Sequence, residues 1–169
     1  NILITFSGGH VRLIDFGVAR PYKAGEIGEI IGTNDYFSPQ KWECIRVVPV
    51  GRDEEIELLP GKKIRLDYRD DIYAIGTLFY ELVAGFHPFS GDTIEQRRNR
   101  TLKENPNAAS NKNAGTSYLE DRVILKCLEK DTKGTSKRYQ TFKELLIDLE
   151  KCMRARDIPI STKGNENID

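Results

Sequence analysis

Between Asp70 and Gly85 the chain carries Ile72, Ile75, Leu78, Phe79, Leu82 and Val83 at three- and four-residue steps, with few polar interruptions. A helix so widely apolar must be wrapped by other elements rather than laid on a surface. Asp70 and Asp71 can cap its start, and Gly85 and Pro88 stop it. The expectation is a mainly α fold built around this buried helix.

Two further amphipathic helices fit Tyr118 to Glu129, with Leu119, Val123, Ile124, Cys127 and Leu128 inward, and Thr141 to Arg154, with Phe142, Leu145, Leu146, Leu149 and Met153 inward. Thr141 and Glu144 have the spacing of a capping box. A shorter, more polar helix is expected from Thr93 to Glu104, followed by an Asn-rich loop from Asn105 to Gly115. Ile2 to Phe6 and Val11 to Ile14 read as strands of a hairpin turned at Ser7-Gly8-Gly9-His10 and ending at Asp15-Phe16-Gly17. Val18 to Asp35, with Pro21, Gly25, Gly28 and Gly32, reads as a loop that leads to a short helical stretch through Trp42. Period-two patterning of Ile56 with Leu58 and Ile64 with Leu66, around Pro60-Gly61-Lys62-Lys63, predicts a solvent-facing hairpin within Ile45 to Leu66.

The 169 residues are 38% apolar, enough for one domain, assigned to 1–154, with a polar tail at 155–169 expected to be disordered. The 26 Lys plus Arg balance 26 Asp plus Glu, so no basic stripe for nucleic acid or anionic lipid is present. The longest apolar run is too short for a membrane span and contains Glu81. Cys44, Cys127 and Cys152 lack metal-ligand spacing, which fits reduced thiols in the cytoplasm. The chain opens at Asn1 without an initiator Met or a signal-like segment, and is read as a piece of a longer polypeptide.

Asp15-Phe16-Gly17 ends a strand hairpin, lies 14 residues after Asn1 (15 minus 1), and precedes a glycine-rich loop and Ser38-Pro39. Holding a divalent metal against phosphates requires a carboxylate and an amide oxygen to converge, and the two ends of a short hairpin can supply them.

With Asn1-Ile2-Leu3-Ile4, Asp15-Phe16-Gly17-Val18-Ala19-Arg20, Gly32-Thr33-Asn34-Asp35-Tyr36-Phe37-Ser38-Pro39, Asp71-Ile72-Tyr73-Ala74-Ile75-Gly76, Gly85-Phe86-His87-Pro88-Phe89 and Lys137-Arg138-Tyr139-Gln140-Thr141 in this order, the chain resembles the eukaryotic-type (Hanks) serine/threonine protein kinases, nearest the bacterial branch. The resemblance implies a kinase-like large (C-terminal) lobe from the end of the catalytic loop onward, with a small β-hairpin at the catalytic-loop end and an inserted hairpin later. It implies ATP and Mg2+ as cofactors and a protein substrate. Asp15 would ligate one metal and Asn1 a second, and Thr33 would face the substrate. Asp71 would hydrogen-bond the catalytic-loop backbone in a structural role, and Gly17 belongs to the metal-binding tripeptide. His87 and Trp42 read as packing residues, and Arg97, Arg98 and Arg100 as a solvated helix face.

Four departures qualify the resemblance. The family's Glu after Ser-Pro is Gln40, whose partner would be Arg138, so a loosened activation segment is expected. Tyr22 is the only hydroxyl between Val18 and Ile31, which leaves no Ser or Thr there for an activating phosphorylation. The insertion at 45–66 could be a docking element or a neutral surface addition. No glycine-rich nucleotide loop, ATP-pairing Lys or His-Arg-Asp occurs in these residues, so alone they are expected to be inactive. Two other readings remain open at this stage: a pseudokinase-like protein-binding module and a non-functional remnant. The sequence sets no oligomeric state.

Overall fold

The computed structural model describes residues 1–5, 10–23, 26–130 and 137–158. The expected turn at Ser7-Gly8-Gly9, the loop glycine Gly25 and the tail from 159 onward lie outside them. The main helices are α2 (Arg69–Ala84), α3 (Ile94–Lys103), α4 (Tyr118–Cys127) and α5 (Phe142–Ala155), preceded by a short α1 (Pro39–Trp42). Among the described residues, six short strands make three antiparallel pairs: β1 (Ile2–Ile4) with β2 (Val11–Leu13), β3 (Ile27–Gly28) with β6 (Ile64–Arg65), and β4 (Ile45–Val50) with β5 (Asp53–Leu58).

Helix α2 is central because it feeds two cores. Ile72, fully buried, joins Val123, Cys127, Tyr139, Leu145 and Cys152, while Tyr73 and Tyr80 join Phe89, Ala109, Ile124 and Leu128. The buried face differs from the expected one. Tyr73, Gly76, Thr77 and Tyr80 point inward, whereas Leu82 is 73% exposed. Gly76 explains the choice, since a Cβ there would lie 2.4 Å from the Cys127 Cβ. The missing side chain lets α4 approach the α2 backbone closely, and that crossing selects the face. At the far end Gly85, with φ of 84°, closes α2 in the left-handed conformation that costs glycine little.

The helix ends only partly follow expectation. Asp70 and Asp71 lie inside the first turn of α2 rather than capping it; the Asp67 carboxylate accepts from the Arg69 N–H at 2.9 Å instead. Thr141 caps α5 by accepting from the Glu144 N–H, but the Glu144 carboxylate turns to the Gln140 N–H, so the box is displaced by one residue. A complete capping box forms at α4 between Ser117 and Glu120. On α5 the buried residues are Leu145 and Cys152, and Phe142 and Leu146 are exposed. Leu146 joins Leu82, Leu149, Met153 and Ile158 around an apolar groove of about 390 Å³ between α2, α4 and α5. Beyond α5, Arg156 pairs with Glu120 at 2.6 Å and the Ile158 N–H donates to the Met153 carbonyl, so the described start of the tail is tied to the helices.

The insertion does form a hairpin, but its turn is Gly51-Arg52, with Val47 opposite Ile56 and Arg46 opposite Glu57. Leu59 to Lys62 makes a separate turn, closed by the Lys62 N–H on the Leu59 carbonyl, with Gly61 at φ of 76°. That turn delivers Ile64 to β3 rather than back to β5. Nor does the hairpin face only solvent. Ile45 and Ile64 are buried with Phe37 and Trp42, and Val47, Ile56, Ile94 and Leu102 pack around them.

Candidate active site

Hairpin β1–β2 brings the two ends of its sequence together. Ile2 pairs with Leu13, and the Ile14 N–H donates to the Asn1 carbonyl at 2.9 Å, so the ladder runs to the residue before Asp15. Asp15 has φ of 62°, a left-handed conformation that a non-glycine residue rarely adopts. Its carboxylate lies 3.4 Å from the Gly17 N–H, the local side-chain contact that makes aspartate tolerant of this conformation. Both Asn1 and Asp15 are exposed, as are Ile2, Leu3, Ile4, Leu13, Ile14 and Phe16 around them.

Asp15 opens onto a cleft of about 460 Å³ whose walls include Arg20, Gly32, Lys41, Asp70 and Asp71. Asn1 and Thr33 are not among its lining residues. Five carboxylates line it, Asp15, Glu29, Asp67, Asp70 and Asp71, and Lys41 supplies part of the compensation they need. Its ammonium donates to the Ile31 carbonyl at 2.6 Å and sits 4.0 Å from the Phe37 ring centroid. Burial lowers the Lys41 pKa while Asp70 and Asp71 oppose the shift. Burial raises the Asp70 carboxyl against the pull of a hydrogen bond with Ser38 and the charges of Arg138 and Lys41. Burial likewise raises Asp71, against Lys41. Burial also works to raise Asp67, but the hydrogen bonds and charge of Arg69 more than reverse it, so its pKa is lowered. Perturbed groups gathered in one cleft make it the candidate site.

Thr33 precedes a single 3-10 turn over Asn34–Tyr36, its carbonyl accepting from the Tyr36 N–H. Three elements hold that loop. The Tyr36 hydroxyl donates to Glu81 on α2 at 2.8 Å, and burial with the Glu81 carboxylate pushes its pKa up to about 12. His87 Nδ1 accepts from the Phe89 N–H, which leaves Nε2 to donate to the Asp35 carbonyl at 2.8 Å. Arg97 of α3 places Nε 2.9 Å from the Asp35 carboxylate.

Arg97 and Arg98 of α3 are therefore half-buried tethers rather than a solvated face, while Arg100 is exposed as expected. Arg98 Nε donates to the Ile45 carbonyl at 3.0 Å, and Arg100 reaches the Ser90 carbonyl. Sequence patterning missed Arg97 and Arg98 because their partners, the Asp35 carboxylate and the Ile45 carbonyl, lie far along the chain. It also missed Asp67 and Lys41; the position of Asp67 two residues before the helix was a signal available for the first.

Gln40 and Arg138 do meet. Arg138, buried to 3% exposure, donates to the Gln40 side-chain oxygen at 3.2 Å, to the Glu129 carbonyl at 2.9 and 2.7 Å, and to the Arg69 carbonyl at 3.1 Å. Its guanidinium also lies 5.0 Å from the Tyr73 ring centroid. This one side chain joins α1, the start of α2 and the end of α4. Trp42 is buried in the core.

Among the described residues no helix is long and apolar enough to cross a membrane, and no cluster of three or more His, Cys, Asp or Glu is arranged to hold a metal.

The protein kinase domain family profile matches residues 1–149. A probable serine/threonine-protein kinase of Clostridium perfringens is 31% identical over all of this chain and 22% of its own length. PknB of Mycobacterium tuberculosis, a serine/threonine-protein kinase, is 30% identical over 88% of this chain and 21% of its own length. A probable serine/threonine-protein kinase of Streptomyces coelicolor is 29% identical over 94% of this chain and 21% of its own length. The chain thus spans about a fifth of these relatives. With the family profile covering 149 of its 169 residues, the chain belongs to the protein kinase domain family.

Proposed function

We propose that this chain is the large-lobe part of a serine/threonine protein kinase that transfers the γ-phosphate of ATP to hydroxyls of a protein substrate. The observation that carries the reading is the end of the β1–β2 hairpin, where the ladder closes on Asn1 and Ile14 and turns Asp15 toward an acidic cleft.

The residues there fit Mg2+. A carboxylate and an amide oxygen are hard donors, and an ion that keeps waters and takes phosphate oxygens needs few protein ligands. Asp15 would hold one ion and Asn1 a second, and the bound metal would neutralise charge on the phosphates. Gly17 secures Asp15 through its N–H, and Thr33 orients the substrate hydroxyl from its anchored loop. Asp71, on the cleft wall, supports the loop that precedes the hairpin. Arg138, with Gln40 in place of a carboxylate, fixes the segment after Thr33. These 169 residues contain no His-Arg-Asp, no glycine-rich nucleotide loop and no ATP-pairing Lys, and by themselves they do not transfer phosphate in this reading. The exposed apolar side chains of the hairpin suit coverage by a nucleotide-holding segment outside them. The domain is assigned to 1–154, and three free thiols suit a cytoplasmic setting.

The test is phosphate transfer from labelled ATP to a Ser/Thr peptide library by the full natural polypeptide and its Asp15→Asn variant. Transfer that falls at least about 100-fold in the variant supports the reading. No transfer by the unaltered polypeptide refutes it. The second reading, a pseudokinase-like binding module, is favoured by Gln40, and it predicts partner binding that neither ATP nor Asp15→Asn changes.

A further inference from the structure

Deepening that kinase reading and resting on it, we propose that the β4–β5 hairpin is a brace that sets, through α3, the position of the substrate-facing loop at Thr33. Glu54, on β5, accepts the N–H of Ile94 at 2.5 Å. Ile94 is the first residue of α3, whose local cap Thr93 is already engaged with the Gln96 N–H. The helix start thus has two acceptors, one local and one brought from the hairpin. A carboxylate at that end also suits the helix dipole. Further along, Arg98 returns a bond to the Ile45 carbonyl at the root of β4, and Ile94 and Leu102 pack with Ile45, Ile56 and Trp42. Hairpin and helix are therefore joined by two polar contacts in opposite directions over a shared apolar cluster.

From the same helix Arg97 reaches the substrate-side loop. Its Nη1 donates to the Gly91 carbonyl at 2.9 Å, and its Nε lies 2.9 Å from Asp35 Oδ1. Both of those paired atoms are covered and their alignment falls outside hydrogen-bond geometry, so the contact is an ionic attraction between two partly exposed side chains. Asp35 is two residues from Thr33, with its carbonyl held by His87. A shift of the α3 start would move Arg97 and unload Asp35. A neutral insertion would have no such contacts, and a docking hairpin would present Glu54 to a partner rather than spend it on α3.

The test uses the full natural polypeptide with Glu54→Ala, Glu54→Gln, Arg97→Met and the Glu54→Ala/Arg97→Met double variant. Steady-state kinetics with peptide and with ATP are measured, together with hydrogen exchange of amides 33–37. Glu54→Ala is expected to raise the peptide KM about fivefold, with the ATP KM unchanged and faster exchange at 33–37. Glu54→Gln, which keeps an acceptor, should restore most of the difference, and the double variant should add little to either single one. An unchanged peptide KM with unchanged loop exchange overturns the brace, as does an equal rise of both KM values. If the unaltered polypeptide transfers no phosphate, the kinase reading fails separately, and exchange at 33–37 alone decides the brace.

Discussion

Replacing Arg138 by Met keeps most of the side-chain volume and removes every donor. In the fold that guanidinium serves the Glu129 and Arg69 carbonyls and the Gln40 side chain. Its positive charge also helps lower the Asp67 carboxyl pKa and opposes the rise that burial imposes on Asp70. An unsatisfied buried carbonyl costs about 1–3 kcal/mol, and removing one partner of a buried charged cluster costs about 3–5 kcal/mol. We expect a loss on the order of 4 kcal/mol, or roughly 10 °C in Tm. Gln40→Leu removes only the one bond from the guanidinium to a neutral acceptor and should cost about 1.5 kcal/mol. The contrast tests why Gln can stand at this position: most of the anchoring of Arg138 is to backbone. Urea denaturation followed by circular dichroism gives both values. A loss under about 1 kcal/mol for Arg138→Met, or equal losses for the two variants, refutes the reasoning. Gln40→Glu should raise Tm by a few degrees, through an added gain of about 1 kcal/mol from a charged acceptor; a fall in Tm would show that the segment is not loosened by the amide.

Two further perturbations probe the packing and a buried charge. Gly76→Ala places a methyl 2.4 Å from the Cys127 Cβ and should destabilise by about 1–3 kcal/mol in urea melts, whereas a neutral result would show that α2 and α4 can separate freely. Burial lowers the Lys130 pKa to about 8, against the opposing charge of Glu104, while its ammonium donates to the Thr101 carbonyl and lies over the Phe89 ring. The folded state then sheds this proton before the unfolded state does, so between about pH 8 and 10 the unfolded chain binds more protons and stability rises with pH. Against Lys130→Met, the natural chain should therefore gain stability across that window, and a pH-independent difference in Tm would refute the assignment.

Much of this architecture is local and was legible in the residues. Helix α3 starts after Thr93 and stops at Glu104 because the cap and the polar pattern are short-range facts. The β1–β2 hairpin needs only neighbouring strands, and it places Asn1 near Asp15 without help from the rest of the chain. The pairing of Gln40 with Arg138, by contrast, was legible only through family resemblance, since nothing in the spacing of two residues 98 apart sets their contact.

What the tertiary structure decided are the choices for which local signals tie or fall silent. The sequence pattern pointed to a turn at Pro60-Gly61-Lys62-Lys63, yet Gly51 and Gly61 both take positive φ and local signals do not choose between them. Burial of Ile45 and Ile64 against Trp42, and the pairing of β6 with β3, selected Gly51-Arg52. The inward face of α2 was likewise set by the close crossing with α4 at Gly76, a property of two helices rather than one. Arg97 and Arg98 look solvated on a helical wheel and become tethers only when Asp35 and the Ile45 carbonyl are brought to them. Hydrophobic period and caps act within a few residues, so the sequence by itself determined the main helices, the first hairpin and their order. Ion pairs and close packing depend on distance in space, so the fold alone determined which face is buried and which charges meet.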